Sequence, residues 1–154
     1  MLLGGILIGV SSWDFLPKKV IWNASQSVSV GLYFVQDRDP ARGDLVLVRF
    51  PDWVALIASR RDYLFPDLPA VKKVAALSGD VVCRLEETIT INGMPVATAQ
   101  RRDGWGRKMP LWSGCRMLKA GEVFLLNDHP QSFDGRYFGV TGMSDVIGVA
   151  RPIW

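Results

Sequence analysis

The sequence predicts a mostly β domain, an antiparallel sheet of short strands with one or two short helices. Three observations carry this. Short runs rich in β-branched and aromatic residues recur along the chain, each bounded by a turn signal. Thr88-Ile89-Thr90-Ile91, then Asn92-Gly93, then Met94-Pro95-Val96 form a hairpin signal of the strongest short-range kind. No stretch sustains the apolar period of a long helix, and there is no internal repeat and no linker.

The first expected strand runs from Val28 to Val35 and ends at the charged turn Asp37-Arg38-Asp39-Pro40. Arg42-Gly43-Asp44 leads into the next, from Leu45 to Phe50. Pro51 to Ala58 changes character. Proline in the first turn, then Ala, Leu and Ile, reads as a short helix that ends before Pro66. Ala70 to Leu77 is a strand closed by Ser78-Gly79-Asp80. Its adjacent Lys72 and Lys73 must point to opposite faces, so one of them faces the apolar side or snorkels to water. After the Asn92-Gly93 hairpin, residues 99–110 are polar and glycine-containing, as a loop is. Glu122 to Leu126 and Val146 to Ala150 are the last two strands.

At 154 residues the chain fits one domain, and 49% hydrophobic with 21% charged residues excludes a disordered chain. The net charge is only +3, and Arg60-Arg61, Lys72-Lys73 and Arg101-Arg102 are scattered pairs without a basic stripe. Nucleic acid is therefore not an expected partner. Six tryptophans suit either core packing or work beside a bilayer.

Residues 1–16 read as an apolar export or membrane segment. The uncharged run from Met1 to Val10 continues through Trp13 until Asp14 stops it. A spanning helix needs about 20 apolar residues, so this run is too short to cross alone. It has the length of a signal-peptide hydrophobic region, but no Lys or Arg precedes it and no small-residue cleavage site follows. A buried terminal strand or helix, or the end of a longer anchor, are the other readings. Residues 17–154 form the domain proper. Cys83 and Cys115 lie too far apart for a redox motif and have no cluster around them for zinc. In a cytosolic chain they would be two buried thiols. In an exported one they form a disulfide, and the bridge is the expectation.

Three separated segments hold the polar residues that could do chemistry. They are Asn23-Ala24-Ser25-Gln26-Ser27 running into Gly31-Leu32-Tyr33, Lys72-Lys73-Val74 through Leu77 to Gly79-Asp80, and Asn127 to Gly139 with Ser132, Asp134 and Arg136. Taken singly they read as a turn, a solvated pair and a surface loop. In this order they resemble the signal peptidase I superfamily, and within it the TraF-type branch of conjugative transfer. The likeness runs from Asn23 to the C-terminus and includes the Ile91-Asn92-Gly93 hairpin and both cysteines. Two departures stand out: Ser29 where proline is usual, and Gly135 where serine is common.

The resemblance implies a partly open barrel of signal-peptidase type and a serine endopeptidase with a Ser/Lys dyad. Ser27 matches the nucleophile and Lys72 the general base, with Lys73 in place of the usual arginine. Ser132 matches the hydroxyl that orients the lysine. Asp134 and Arg136 match a pair that holds the loop, and Asp134 is also implicated in activity. Ser25, with the backbone N–H of Ser27, matches the oxyanion donors. A serine hydroxyl is a weak nucleophile until a base takes its proton, and lysine can do so only when neutral. Its pKa of about 10.4 must fall through burial, for which Val71, Val74 and Ala76 are suited. The sole histidine, His129, permits a Ser-His-Asp reading, but no nucleophile elbow accompanies it. No metal or organic cofactor is implied.

The implied substrate is an exported precursor protein, a conjugative pilin, with head-to-tail cyclisation as the TraF-branch variant of the reaction. The implied place is the periplasm, at the surface of the inner membrane. Trp13 to Ser27 reaches at most about 50 Å fully extended, so the nucleophile stays near any inserted N-terminus. The competing readings are a general type I signal peptidase and a non-catalytic assembly protein of a pilus or secretion channel.

Overall fold

A computed structural model describes residues 20–65 and 68–153. The expected apolar segment 1–16 and Pro66 lie outside the described residues. The fold is mostly β, with every strand pairing antiparallel, and the larger sheet curls into a half-barrel.

Chain order gives β1 (Val20–Asn23), β2 (Gly31–Gln36), β3 (Leu45–Val48), α1 (Asp52–Arg60) and β4 (Ala70–Ala76). Then come β5 (Val81–Leu85), β6 (Thr88–Ile91), β7 (Met94–Thr98), β8 (Gly114–Met117) and β9 (Glu122–Leu125). The one-turn helix α2 (Gly135–Phe138), β10 (Thr141–Gly142) and β11 (Val146–Pro152) complete it. The larger sheet has the order β1-β2-β11-β3-β4-β9-β10 and the smaller β7-β6-β5-β8.

The predicted strands at 45, 70, 88, 94, 122 and 146 all form. The first begins later than expected, at Gly31 instead of Val28. The Asn23 side chain binds the carbonyls of Ser25, Val28 and Ser29, and ladder pairing starts only where Gly31 meets Asn23. The helix starts at Asp52 with Pro51 as its cap, and buries Val54 and Ala58.

The core is the inward face of these strands. Val46, Val48, Val74, Ala76, Phe124, Leu125 and Val149 are fully enclosed, joined by Phe50 and Phe133. Each such Val, Leu or Phe side chain contributes about 1.5–3 kcal/mol by leaving water. A second cluster of Tyr33, Val35, Leu47, Val71 and Ala150 fills the other face of the larger sheet. In the smaller sheet Cys83 and Cys115 are direct partners across β5 and β8, and they form a disulfide.

Candidate active site

The loop of the β1–β2 hairpin carries Ser25 and Ser27, and Asn23 shapes it. Asn23 Nδ2 donates to the carbonyls of Ser25 (2.9 Å) and Ser29 (3.0 Å), while its Oδ1 accepts the Ser25 amide (3.2 Å). An asparagine that binds backbone two residues on is an Asx turn, which fixes the loop by local chemistry. Tyr33 fastens the far end by donating to the Ser29 carbonyl at 2.7 Å. Within the loop the Ser25 and Ser27 hydroxyls are 2.9 Å apart, and the Ser27 amide donates to Ser25 Oγ at 3.3 Å.

Strand β4 supplies both lysines, and strand geometry sends them apart. Lys73 reaches solvent and pairs with Asp128 at 2.9 Å. Lys72 turns inward, with 5% of its surface exposed. Its Nζ donates to Ser132 Oγ at 3.2 Å and lies 6.0 Å from the centre of the Phe50 ring. Burial pushes its pKa down to about 8. The Asp134 charge pulls it back up, and Arg136 pushes it down again.

The segment after β9 is held by a buried ion pair. Asp134 caps α2 by accepting the Arg136 amide, and it also takes the Asn127 amide at 3.0 Å. Arg136 donates to both Asp134 oxygens (2.9 and 3.1 Å) and to the carbonyls of Asn127, His129 and Pro130. A guanidinium with five donors can gather a loop in this way, where an ammonium could not. The loop so fixed presents Ser132 to Lys72. Asn127 adds a second tie, accepting the Lys73 amide at 2.8 Å.

Ser25, Ser27, Lys72 and Ser132 line one cavity of about 850 Å³, floored by Phe50, Phe133 and Tyr137. Asp134 and Arg136 are buried behind its wall. His129 also borders the cavity, but its Nδ1 accepts the Gln131 amide and its residue is exposed. Chemically, the cavity holds paired hydroxyls and an amine that loses its proton in mildly alkaline water. Among the described residues, no group of three or more His, Cys, Asp or Glu could hold a metal ion.

Asn23 and Asn127 lie within the quoted motifs, yet sequence reasoning gave them no role. Asparagine opening a polar turn was the available signal for Asn23. Nothing local marked Asn127, whose partners come from β4. The glycine at 135 has a structural reason. A Cβ there would lie 2.6 Å from the Leu125 carbonyl and 2.8 Å from the Phe124 ring.

A sequence profile described as signal peptidase, peptidase S26, matches residues 1–154. The plasmid transfer protein TraF of Escherichia coli is 32% identical over 142 residues, 85% of this chain and 80% of that one. The conjugal transfer protein TraF of Agrobacterium fabrum (strain C58) is 34% identical over 143 residues, 86% of this chain and 80% of its own. Among solved structures, a signal peptidase I from Enterococcus faecalis V583 is similar at 22% identity and a TM-score of 0.42, covering 74% of this chain and 98% of that one. The chain belongs to the signal peptidase family, peptidase S26.

Proposed function

We propose that this chain is a serine endopeptidase in which Ser27 attacks the scissile carbonyl and Lys72 takes its proton. The observation that carries this reading is Lys72. Its amine is buried, bonded to Ser132 and lowered to about 8, on the wall of a cavity that Ser27 also lines. A base with a pKa near the working pH combines a useful neutral fraction with the strength to take a proton. Ser132 orients the amine. Asp134, whose charge favours protonated Lys72, steadies the lysinium that forms when the serine proton arrives. The Ser25 hydroxyl and Ser27 amide now bond to each other, and a bound oxyanion would collect both donors. Asp134 and Arg136 keep the loop in place.

The substrate class is an exported precursor protein, and a conjugative pilin fits the plasmid and conjugal transfer names of the relatives. The reaction takes place in the periplasm at the surface of the inner membrane, with residues 1–16 as the export or membrane segment. Trp22, Phe65, Leu68 and Trp105 are exposed around the cavity and suit a membrane surface. No helix among the described residues is long and apolar enough to cross a membrane. The chemistry uses side chains and the Ser27 amide, and calls for no cofactor.

The test compares precursor processing by wild type, Ser27→Ala, Lys72→Arg and the double variant, each checked for folding by circular dichroism. All three variants should be inactive, the double no worse than either single, as expected of residues acting as one unit. An arginine stays protonated up to about pH 12 and cannot accept the serine proton. Wild-type activity should rise with pH through a midpoint near 8. An active Lys72→Arg enzyme would sink the base assignment. Transfer function that survives Ser27→Ala would favour an assembly protein. In the mass spectrum of the pilin, cleavage with loss of one further water marks a ring, and cleavage alone marks ordinary hydrolysis.

A further inference from the structure

The two adjacent lysines border two different cavities. Lys72 lines the large one described above. Lys73 lines a second, of about 550 Å³, with Val28, Ser29, Val30, Leu45 and Asp128. Gln26 and Ser27 are the residues that line both. The hairpin loop thus places Ser27 at the divide between two spaces, on the one residue pair they share.

We propose that this second cavity is the subsite for the peptide segment that follows the scissile bond, and that the amine or water resolving the acyl-enzyme enters through it. The inference rests on Ser27 as the nucleophile. An endopeptidase must hold chain on both sides of the carbonyl it attacks, so peptide must continue past Ser27 in both directions. The larger cavity contains Lys72, Ser25 and an aromatic floor, which suits the half that stays bonded to the enzyme. The second is smaller and walled by exposed groups such as Val30, at 46% exposure. That suits a segment that must depart before the second half-reaction.

The wall also defines what it would take. Val28, Val30 and Leu45 offer apolar contact, and the Lys73–Asp128 pair, with Lys73 directly across from Leu45, offers polar contact. An extended peptide with small or apolar residues after the scissile bond matches this lining. Ser29 replaces the proline usual in the resembling family, giving the wall a hydroxyl and an amide N–H that proline lacks. In transfer to an amine, the neutral amine attacks the acyl carbonyl on Ser27. A C–N bond forms, the C–Oγ bond breaks, and one amine proton passes by way of Lys72 to Oγ.

The experiment uses acetyl-trialanine 4-methylumbelliferyl ester as acyl donor, which has no peptide after the scissile bond. Alaninamide, dialaninamide and tetra-alaninamide are added as acceptors at about pH 9, where these amines and Lys72 are largely neutral. The ratio of amide product to hydrolysed product is measured for wild type, Val30→Trp and Val30→Ala. In the wild type the ratio should rise about tenfold from the shortest acceptor to the longest, the effect of a few added contacts. Val30→Trp fills the cavity and should hold the rise below about twofold. Val30→Ala should keep most of it, and circular dichroism reports that each variant is folded. A flat ratio in the wild type, or an equal rise in Val30→Trp, would overturn the subsite. No ester turnover above that of Ser27→Ala would instead remove the nucleophile assignment itself, and the subsite with it.

Discussion

A buried amine has opposite consequences for chemistry and for stability, and Lys72 carries both. Its pKa is lowered from 10.5 to about 8 by burial. Between those values the unfolded chain binds a proton that the folded chain does not, so stability rises with pH across that window. Below pH 8 both states are charged and the whole cost is present. A shift of this size corresponds to about 3 kcal/mol. Lys72→Met removes the cost and also the bond to Ser132, worth about 1 kcal/mol. Urea unfolding at pH 7 should therefore show Lys72→Met more stable than wild type by about 2 kcal/mol. The advantage should fade as pH rises from 8 to 10.5. A gain that stays constant with pH, or a loss at pH 7, would mean that burial does not depress this lysine. Strand alternation made one inward lysine legible in the sequence. Which one it is depends on Phe50 and Ser132, which arrive from other elements, so composition around the pair could not decide.

Elements were legible where local chemistry sets them and obscure where a partner does. The Asn92-Gly93 turn, with both residues at positive φ, declares its own hairpin. Strand β8 does not, because all four of its residues are exposed and no alternating pattern marks it. It exists by pairing with β5 and through the Cys83–Cys115 bond. Strand β1, four residues long and paired with β2 alone, also escaped notice, and α2, a single turn, is built by its cap at Asp134. That turn also accounts for the glycine at 135, which stands where the resembling family commonly has serine. Phe124 and the Leu125 carbonyl fill the space that a side chain at 135 would need. Restoring the common residue, Gly135→Ser, should destabilise the protein by about 1–3 kcal/mol through overpacking. Phe124→Leu in the same chain should give part of that back, since it vacates the ring's place. Urea midpoints of the two variants decide this. A Gly135→Ser protein as stable as wild type would show that α2 can shift away from β9 at no cost.

At the scale of the molecule, two ties of the smaller sheet lead to different places. The disulfide joins β5 to β8 and closes a sequence separation of 32 residues, entirely within that sheet. Arg84, the next residue on β5, points the other way and is 2% exposed. It donates to the carbonyls of Glu86, Pro110 and Arg136, and the last of these lies on α2 beside the proposed site. Burial lowers the pKa of this guanidinium without bringing it near neutrality. The overall β architecture could be read from the strands, but this link could not, since the sequence reading places no strand at 81–85 and a lone arginine looks like an outward residue. Replacing both cysteines with serine should lower stability by about 3–4 kcal/mol, mainly through the freed unfolded chain. Arg84→Met leaves the buried Arg136 carbonyl and the part-buried carbonyls of Glu86 and Pro110 without this donor, and should cost about 1–3 kcal/mol even after the relief of removing a buried charge. The two losses should differ in where they are felt. The amides of Tyr137, Phe138 and Gly139 bond to the carbonyls of Asp134 and Gly135, so they report on α2. Hydrogen exchange at these amides, taken relative to Val74 and Leu126 in the core, should quicken in Arg84→Met and stay at the wild-type ratio in the cysteine variant. Equal quickening in both, or in neither, would show that Arg84 is one more stabilising contact and does not hold the site loop from the smaller sheet.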